Sequence, residues 1–519
     1  MDTPSTPAPA VAFTTLGCKV NHAESERIIA ELLAAGARIT GPDEADAIVV
    51  DTCTVTGEAD AKARKAVRRA LGCHREPLVV VTGCLAALDA DGLAALGTRV
   101  TVVADKAEVP RVVGEALGLR CGPGHGLGQP HTPDLPHTPD LPHAPGSPCD
   151  PDPAHGPDLA VRAGAEFRTR AAVKAQDGCD AFCSYCIVPH ARGAPRSTAL
   201  ASILAEVEAL CAAGVAEVVL TGINLGRYTS GGVGLAGLVR RVAETGVVRL
   251  RLSSIEPPDL TDELADTLGS LPAVCNHLHI PLQSGSDPVL RAMGRSYTVS
   301  EYERIVARLR QAMPGLAITT DIIVGFPGES DADAARTLEA CERIGFTKLH
   351  VFRYSRRDGT PAAAMEGQVP SEVRARRAAH LRELGERLRC EWLRGMQGAT
   401  VEVLLEKECR DADGQPCFEG VSREYARVRV AKSPDHSRST GTPRGEYVQV
   451  RMAKNSEADA DDTWNDSALA DTANMTACNA PASLAPRRFA PGDLVRAQIN
   501  GMAAPDILSG SAAGPVLIS

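Results

Sequence analysis

The stretch GCDAFCSYCIVPHARG, residues 178–193, places Cys179, Cys183 and Cys186 in the pattern Cys-x3-Cys-x2-Cys. It follows an apolar segment, RAAVKAQ, that predicts a β-strand. Three thiolates can bind three irons of a four-iron cluster, and the fourth iron is then open to a small molecule. The alternative is a zinc site that lacks one of its four ligands, with His190 as the nearest residue to complete it.

The cysteine stretch opens a region in which apolar strands and helices alternate, from about residue 167 to residue 355. Six segments predict strands: RAAVKAQ, AEVVLTG, VVRLRLSS, HLHIPLQ, AITTDIIVG and KLHVFRYS. The segments between them, such as TALASILAEVEALCAAG and SEYERIVARLRQAM, predict helices. Six βα units in series predict an open parallel (β/α)6 barrel. The cysteines follow its first strand, which places them at the catalytic end.

Residues 11–119 alternate in the same way. AFTTLG, AIVVDTC and PLVVVTGC predict strands, and HAESERIIAELLAAG, ADAKARKAVRRAL and KAEVPRVVGEAL predict helices. This βαβ series predicts a small parallel sheet with helices on both faces. Cys18, Cys53 and Cys84 each stand where a strand ends, so we expect them to meet at one edge of the sheet. Three unrelated core thiols are the alternative, since a free cysteine packs well as a small apolar residue.

The remaining sequence predicts a linker, a basic helix and a third unit. Residues 120–164 repeat HTPDLP and are rich in proline, which predicts an extended, disordered spacer; metal binding by its histidines is the alternative. A basic helix at about 371–396 precedes the segments ATVEVLLEK, YARVRV, EYVQVRM and DLVRAQIN, which predict a small β-barrel over 397–510. An acidic low-complexity insertion interrupts this barrel at about 453–487.

Length and composition agree with a soluble protein of three units. A chain of 519 residues is too long for one core. It has no apolar run that could span a bilayer and no signal peptide, so we expect a cytoplasmic protein. Thiols stay reduced in that compartment, which favours metal binding for clustered cysteines among the total of 16. The net charge of −10 argues only weakly against a nucleic-acid partner, because local charge matters more.

The loop GCDAFCSYCIVPHARG resembles the cluster loop of radical S-adenosylmethionine enzymes. TLGCKVN, VVDTCTVTGEAD and VTGC resemble the N-terminal domain of one branch of that superfamily, the methylthiotransferases. The resemblance covers residues 11–119 and 168–500 and implies two 4Fe-4S clusters with S-adenosyl-L-methionine as cofactor. The implied metal ligands are Cys18, Cys53, Cys84, Cys179, Cys183 and Cys186. Cys73 does not match the motif.

The resemblance continues in EVVLTGINLGRY, LRLSSIEP, HLHIPLQSGSDPVLRAMGRSYT, TTDIIVGFPGE and YSRRDGTPAAAM. Glycines in these blocks would let the backbone approach S-adenosylmethionine closely, and the predicted cofactor-binding positions are Gly222, Gly285, Gly325 and Gly328. Ordinary turn glycines are the alternative. We assign no catalytic residue beyond the cluster ligands; Asp321, on the fifth predicted strand, has no assigned role.

The C-terminal unit resembles the TRAM domain, an RNA-binding module of the same family. Two basic stretches lie outside or beside it, and their residues are Lys62, Arg64, Lys65, Arg68 and Arg69, and Arg374, Arg376, Arg377, Arg382, Arg387, Arg389 and Arg394. They favour contacts to RNA phosphates, with solvated helix faces as the alternative. The resemblance implies the anticodon stem-loop of tRNA as partner, an electron donor such as flavodoxin or ferredoxin, no membrane association and a monomer.

Three branches of the family compete for the substrate. TLGCKVN, DTCTVT, LTGIN, LSSIEP and YSRRDGTPAA look most like the branch that acts on N6-threonylcarbamoyladenosine in tRNA. The alternatives are isopentenyladenosine in tRNA and an aspartate of a ribosomal protein. The sequence departs from the branch at His22, Ala23 and His190, and its linker and insertion are long. A non-catalytic iron-sulfur or zinc protein that binds RNA is the hypothesis of a different class.

Overall fold

The computed structural model describes residues 7–121, 169–411, 413–431, 491–504 and 507–515. Residues 122–164 of the predicted linker, the predicted insertion and the predicted strand EYVQVRM lie outside the described residues. Within the described ranges, no helix has both the length and the apolar character that a membrane crossing needs.

The N-terminal domain is a five-stranded parallel sheet with helices on both faces. Its strands are β1 (Ala10–Thr15), β2 (Arg38–Ile39), β3 (Ala47–Thr52), β4 (Leu78–Gly83) and β5 (Val100–Val102), in the order β2-β1-β3-β4-β5. Its helices are α1 (Lys19–Ala34), α2 (Gly57–Leu71), α3 (Cys84–Leu88), α4 (Ala90–Ala94) and α5 (Val109–Leu117). Side chains of β3 alternate between two cores, with Val50 in one and Val49 in the other. The predicted α/β sheet is confirmed.

The central domain has six parallel strands in chain order. They are β6 (Arg170–Asp177), β8 (Glu217–Gly222), β11 (Arg249–Leu252), β12 (His277–His279), β13 (Ala317–Val324) and β14 (Lys348–Arg353). Parallel bridges from Leu250 to Val274 and from Ser254 to His279 join the first three strands to the last three. This is the predicted open (β/α)6 barrel. Two short additions were not predicted: β7 (Arg196–Ser197), antiparallel to β6, and the hairpin of β9 (Thr229–Ser230) and β10 (Val233–Gly234).

The helices of this domain lie between and after its strands in the sequence. They are α6 (Val188–Arg192), α7 (Leu200–Ala212), α8 (Leu235–Ala243), α9 (Asp262–Ser270), α10 (Asp287–Ala292), α11 (Val299–Ala312), α12 (Asp331–Ile344), α13 (Pro361–Ala364) and α14 (Ser371–Gly395). Capping boxes at Thr298 and Ser330 satisfy the first backbone N–H groups of α11 and α12, which explains where these helices begin. The long helix α14 leads into the third domain.

The C-terminal domain is a closed five-stranded barrel, which confirms the predicted small β-barrel, although two of its strands were not predicted. Its strands are β15 (Thr400–Arg410), β16 (Pro416–Ser422), β17 (Arg427–Ala431), β18 (Leu494–Ala504) and β19 (Ile507–Pro515), in the order β15-β16-β17-β19-β18. Its core includes Val403, Phe418 and Val428. Cys409 and Cys417 stand opposite each other on β15 and β16 and form a disulfide, which differs from the expectation of reduced thiols.

Candidate metal centre between the N-terminal and central domains

The contiguous triplet, Cys179, Cys183 and Cys186, lies in the loop after β6. Gly178 opens the loop with a φ of +72°, and a Cβ on it would stand 2.1 Å from the carbonyl oxygen of Ala194. The backbone N–H of Cys179 donates to the carbonyl of Gly193 at 3.1 Å. The loop is therefore fixed by its own backbone, and only glycine fits at its first position.

N–H groups point at the sulfurs of the contiguous triplet. Arg295 Nη1 donates to Cys183 Sγ at 3.2 Å, and the backbone N–H of Ala181 donates to Cys179 Sγ at 3.5 Å. Burial, followed by the neighbouring Cys183 and Cys179 thiols, raises the pKa of the Cys186 thiol to about 12. Metal binding would remove these protons, since the thiolate is the ligand.

The dispersed triplet, Cys18, Cys53 and Cys84, comes from three loops at the carboxyl ends of β1, β3 and β4. Cys18 caps the N-terminus of α1, Cys53 follows β3 directly, and Cys84 begins α3. Burial, followed by the nearby Cys18 and Cys84 thiols, raises the pKa of Cys53 to about 12. The structure therefore brings the three thiols into one place, as expected from the parallel sheet.

Glycines also shape the dispersed triplet. A Cβ on Gly17, whose φ is +107°, would lie 2.6 Å from Cys53 Cβ and 2.9 Å from its Sγ. A Cβ on Gly83, whose φ is +93°, would lie 2.4 Å from the carbonyl oxygen of Thr52. These positions were missed in the sequence, although a signal existed: a glycine directly precedes Cys18, Cys84 and Cys179.

The donor set of each triplet fits a four-iron cluster with one open iron. In the described part of the chain, no group of three or more His, Cys, Asp or Glu side chains is spaced to hold a single metal ion. A single zinc ion needs its sulfurs packed around one point about 2.3 Å away, whereas a cubane binds each thiolate on a separate iron. His190, which the zinc alternative would require, is exposed on α6.

A buried ionic network connects the dispersed triplet to the two ends of the loop that carries the contiguous triplet. Arg192, at the end of α6, donates through Nε to Cys84 Sγ at 3.3 Å and through Nη1 to Asp177 at 2.9 Å and Glu24 at 3.1 Å. Lys106 and Lys174 donate to Glu24 as well, at 2.5 and 2.8 Å. Burial alone would raise the pKa of Glu24, but Lys106, Lys174 and Arg192 outweigh it and hold that pKa well below its usual value. Both triplets therefore border one junction.

The comparisons with known proteins agree with this arrangement. Residues 173–341 match the radical SAM superfamily, and residues 10–105 match the uncharacterized protein family UPF0004. The threonylcarbamoyladenosine tRNA methylthiotransferase MtaB of Bacillus subtilis is 36% identical over 451 residues, which cover 86% of this chain and 94% of that protein. The chain belongs to the radical S-adenosylmethionine methylthiotransferase family.

Other members of the methylthiotransferase family match over similar lengths. MtaB of Thermotoga maritima is 36% identical and covers 76% of this chain and 86% of its own length. The tRNA-2-methylthio-N(6)-dimethylallyladenosine synthase of Anaeromyxobacter sp. is 38% identical, and the match covers 87% of this chain and 93% of that protein. As a radical S-adenosylmethionine methylthiotransferase, the protein is an enzyme that uses S-adenosyl-L-methionine and two 4Fe-4S clusters.

A second set of contacts holds the methylthiotransferase's N-terminal domain against its barrel. Arg357, after β14, donates to Asp60 at 2.7 Å and to Thr54 Oγ1, one residue beyond Cys53. Thr54 Oγ1 in turn donates to Asp60 at 2.7 Å. The backbone N–H of Gly57 donates to Ser355 Oγ at 2.9 Å. None of these partners is marked in the sequence, because they lie about 300 positions apart.

The four predicted cofactor-binding glycines lie in different surroundings. A Cβ on Gly285 would lie 2.6 Å from Thr337 Cα, and one on Gly325 would lie 2.1 Å from Arg374 Cγ, so close packing explains both glycines. A Cβ on Gly222 would stand 3.0 Å from Gln176 Cβ. Gly328 has a φ of +81° and open space around it. All four remain predicted positions for contact with the cofactor.

Polar side chains project from the barrel's fourth, fifth and sixth strands. His279 bonds Thr319 Oγ1 through Nδ1 at 2.9 Å and pairs with Asp321 Oδ1 through Nε2 at 3.3 Å. Burial would raise the pKa of Asp321, but His279 lowers it below its usual value. Burial lowers the pKa of His350 to about 4, so this ring is neutral at pH 7. The cluster of histidines around Asp321 was not noticed in the sequence.

Several residues of the predicted basic stretches have partners within the protein. Arg377 pairs with Glu329 at 3.1 Å, Arg387 pairs with Glu342 at 2.7 Å, and Arg64 pairs with Asp89. These three side chains are therefore occupied by contacts within the protein. Exposed positions remain on both helices, namely Lys65, Arg68 and Arg69 on α2 and Arg376, Arg382 and Arg394 on α14.

Proposed function

We propose that this methylthiotransferase converts N6-threonylcarbamoyladenosine, beside the anticodon of tRNA, to its 2-methylthio derivative. The observation that carries the proposal is the junction: two three-cysteine sets on different domains border the same buried network. A reaction that makes a radical at one cluster and delivers sulfur from another needs this proximity. Relatives that are 36% identical over most of the chain carry the name of the threonylcarbamoyladenosine enzyme.

We assign the ligands by domain. Cys179, Cys183 and Cys186 would hold the cluster that binds S-adenosylmethionine, and the dispersed triplet would hold the auxiliary cluster. When bound, these groups supply the radical that removes hydrogen from C2 of the adenosine, the sulfur that replaces it, and, from a second S-adenosylmethionine, the methyl group. Gly222, Gly285, Gly325 and Gly328 would lie beside the cofactor.

The protein's own residues position these groups and keep water out. Arg192 and Arg295 each donate an N–H to one ligand sulfur. The charges of the junction balance one another in burial, and their mutual attraction offsets the cost of removing them from water. The pair of His279 and Asp321 gives the barrel fixed hydrogen-bonding groups at which a polar substrate could be oriented.

We further propose the organisation and partners of the chain. The domains would divide at 11–119, 165–396 and 397–510. The anticodon stem-loop would contact the C-terminal barrel and the exposed cations of α2 and α14, because Lys and Arg neutralise phosphates. The reductant would be a small electron donor such as flavodoxin or ferredoxin. We expect a cytoplasmic monomer.

A second candidate substrate has a specific observation behind it. The Anaeromyxobacter relative named for dimethylallyladenosine is 38% identical over 462 residues. That substrate differs from threonylcarbamoyladenosine only in the group on N6, so the same cysteines would act on it.

Nucleoside analysis by mass spectrometry separates the candidates. The protein, reconstituted anaerobically with iron and sulfide, is given reductant, S-adenosylmethionine and tRNA that carries either modification. We expect the methylthio product with the threonylcarbamoyl tRNA. Product only with the dimethylallyl tRNA would favour the second candidate. If S-adenosylmethionine is cleaved but neither tRNA is modified, the tRNA proposal fails and the ribosomal-protein substrate is tested next.

A further inference from the structure

Two buried arginines each donate a hydrogen bond to one ligand sulfur, one at each triplet. Arg192 reaches Cys84 Sγ at 3.3 Å, and Arg295 reaches Cys183 Sγ at 3.2 Å. Their side chains are 7% and 5% exposed. The proposed reaction does not explain why each of these hydrogen bonds ends on a ligand sulfur.

The guanidinium of Arg192 is held from several sides. Its Nη1 donates to Asp177 at 2.9 Å, and its Nη2 donates to Asn21 at 2.5 Å and to Glu24 at 3.1 Å. These acceptors leave Nε aimed at Cys84 Sγ. Because Arg192 belongs to the central domain and Cys84 to the N-terminal domain, this one side chain connects the loop of the first triplet to a ligand of the second.

Arg295 is held in a similar way at the contiguous triplet. It forms an ion pair with Glu256, and its Nε donates to Tyr297 Oη at 3.1 Å. The Nη1 group that remains donates to Cys183 Sγ. Each arginine therefore donates one N–H to a sulfur, Arg192 through Nε and Arg295 through Nη1, and the two act on different triplets.

We propose that Arg192 and Arg295 are positioning residues that set the reduction potentials of the two clusters separately, Arg192 for the auxiliary cluster and Arg295 for the cluster that binds S-adenosylmethionine. Reduction adds negative charge to a cluster, and an N–H donor or a cation beside its sulfur stabilises that charge, which raises the potential. The inference rests on the proposed assignment of the six cysteines as ligands and is independent of the tRNA substrate.

A redox titration of the reconstituted protein, followed by electron paramagnetic resonance, measures both potentials without tRNA. The variants are Arg192→Lys and Arg192→Gln, with Arg295→Lys for the other cluster. We expect the Arg192 variants to lower the auxiliary potential and leave the other unchanged, and Arg295→Lys to do the reverse. Arg196→Gln is the matched control, because Arg196 approaches Asp177 at 3.7 Å, is 52% exposed, and has no contact to sulfur among those the structure describes; we expect no shift.

Other outcomes decide the proposal as well. If the Arg192 variants shift neither potential, or shift both equally, the separate role of Arg192 is wrong. If both variants lose the auxiliary iron, Glu24→Gln distinguishes the causes, since it breaks the same ionic network without touching sulfur. If Glu24→Gln retains the auxiliary iron, the loss in the Arg192 variants comes from the missing sulfur contact, which supports the proposal. If Glu24→Gln loses the iron too, the loss comes from the ionic network and the proposed role of Arg192 is wrong. If the variants show the expected changes in reduction potential but the wild-type protein forms no methylthio product on tRNA, the proposed substrate is wrong and this inference still holds.

Discussion

The two cysteine triplets are assembled in opposite ways. Cys179, Cys183 and Cys186 occupy one loop that its own backbone bonds hold in shape. Cys18, Cys53 and Cys84 come from three loops, and only the register of β1, β3 and β4 brings them together. A site of the first kind can be recognised from spacing alone. A site of the second kind depends on the whole sheet and can be recognised only through topology.

This difference implies that the two sites can be damaged independently. A fault in the loop after β6 should leave the N-terminal sheet intact, and a fault in the sheet edge should leave the loop intact. The residues that connect the two sites lie at the junction, where Arg192 and the contacts of Arg357 cross the domain boundary. Substitutions in these three places should therefore give three distinct patterns of loss.

The largest effect is expected from the ligands themselves. Cys183→Ala should abolish cleavage of S-adenosylmethionine to 5′-deoxyadenosine, because the cluster that binds it loses a ligand. Cys53→Ala should leave that cleavage in place and abolish the methylthio product. In both variants the iron content should fall from about eight to about four per chain, four irons being bound in each cubane.

Cys73→Ala is the control for the cysteine variants. Cys73 is a buried thiol of the N-terminal core, donates to the carbonyl of Arg69 at 3.7 Å and belongs to neither triplet. Its iron content should stay near eight. An unchanged iron content in Cys53→Ala would show that the dispersed triplet holds no cluster.

A smaller effect is expected from the glycines that make room for each triplet. Gly17→Ala would push a methyl group against Cys53 and should remove most of the auxiliary iron, while cleavage of S-adenosylmethionine persists. Gly178→Ala would collide with the carbonyl of Ala194. It should abolish most cleavage of S-adenosylmethionine while the auxiliary iron is retained. Iron analysis and 5′-deoxyadenosine quantification measure both.

Gly36→Ala separates backbone strain from collision. Gly36 has a φ of +95°, close to that of Gly17, but nothing lies within 4 Å of its added Cβ. The strain should cost about 1–2 kcal/mol of stability with both clusters retained. If Gly36→Ala lost as much iron as Gly17→Ala, the loss would come from strain in the domain and the contact with Cys53 would be irrelevant.

The sequence predicts most of the fold because its signals are periodic and local. The six barrel strands, the three principal strands of the N-terminal sheet and the cysteine loop were all found by alternation and spacing. β7 was missed because two residues, Arg196–Ser197, are too few to show a period. β16 was missed because strand alternation is weak in a segment that begins with proline and contains Gly420.

The junction could not be predicted, for a physical reason. Arg192 stands inside the cysteine loop, yet two of its partners, Glu24 and Cys84, are more than 100 residues away and meet it only when two domains pack. At Gly285, where the sequence predicts contact with the cofactor, the structure adds a close contact with Thr337 that only packing creates. Local pattern identifies the residue type, and packing decides its use.

A moderate effect, confined to the dispersed triplet, is expected at the second contact between the domains. Asp60→Asn removes the charge that Arg357 meets at 2.7 Å beside Thr54. A charge-assisted bond of this kind contributes about 1.5–3 kcal/mol, so misplacement of the dispersed triplet should cost about tenfold in methylthio product per 5′-deoxyadenosine formed. The ratio is measured by mass spectrometry from single reactions.

Glu58→Gln is the matched control for Asp60→Asn. Glu58 also faces the barrel domain, where it pairs with Arg353, but the two side chains are 68% and 43% exposed. An exposed pair contributes about 0–1 kcal/mol, so the ratio should change by less than about fivefold. An equal fall of the product ratio in the two variants would mean that the partly buried Arg357 contact does not place the dispersed triplet.

The smallest effect on the difference between the two triplets is expected at the base of the barrel. There Glu217 is buried between Arg249 and Arg251, at 2.7 Å from each. Glu217→Gln should destabilise the whole protein by about 3 kcal/mol, because two arginines are left buried without their carboxylate. It should not change the ratio of methylthio product to 5′-deoxyadenosine in the protein that remains folded. Glu244→Gln, at an exposed pair with Arg241, should change stability by less than about 1 kcal/mol.

The effect of Glu217→Gln should also depend on pH in a defined direction. Burial alone would raise the pKa of Glu217, but Arg251 and Arg249 outweigh it and lower the pKa below the ordinary value. A carboxyl group with a lowered pKa contributes its stability above its unfolded pKa of about 4.3 and loses it as the pH falls further. The difference in urea midpoint between wild type and Glu217→Gln should therefore be constant from pH 7 to about 5 and shrink below about 4. A difference that stayed constant down to pH 3 would show that the ionised carboxylate of Glu217 is not what holds the two arginines in the barrel.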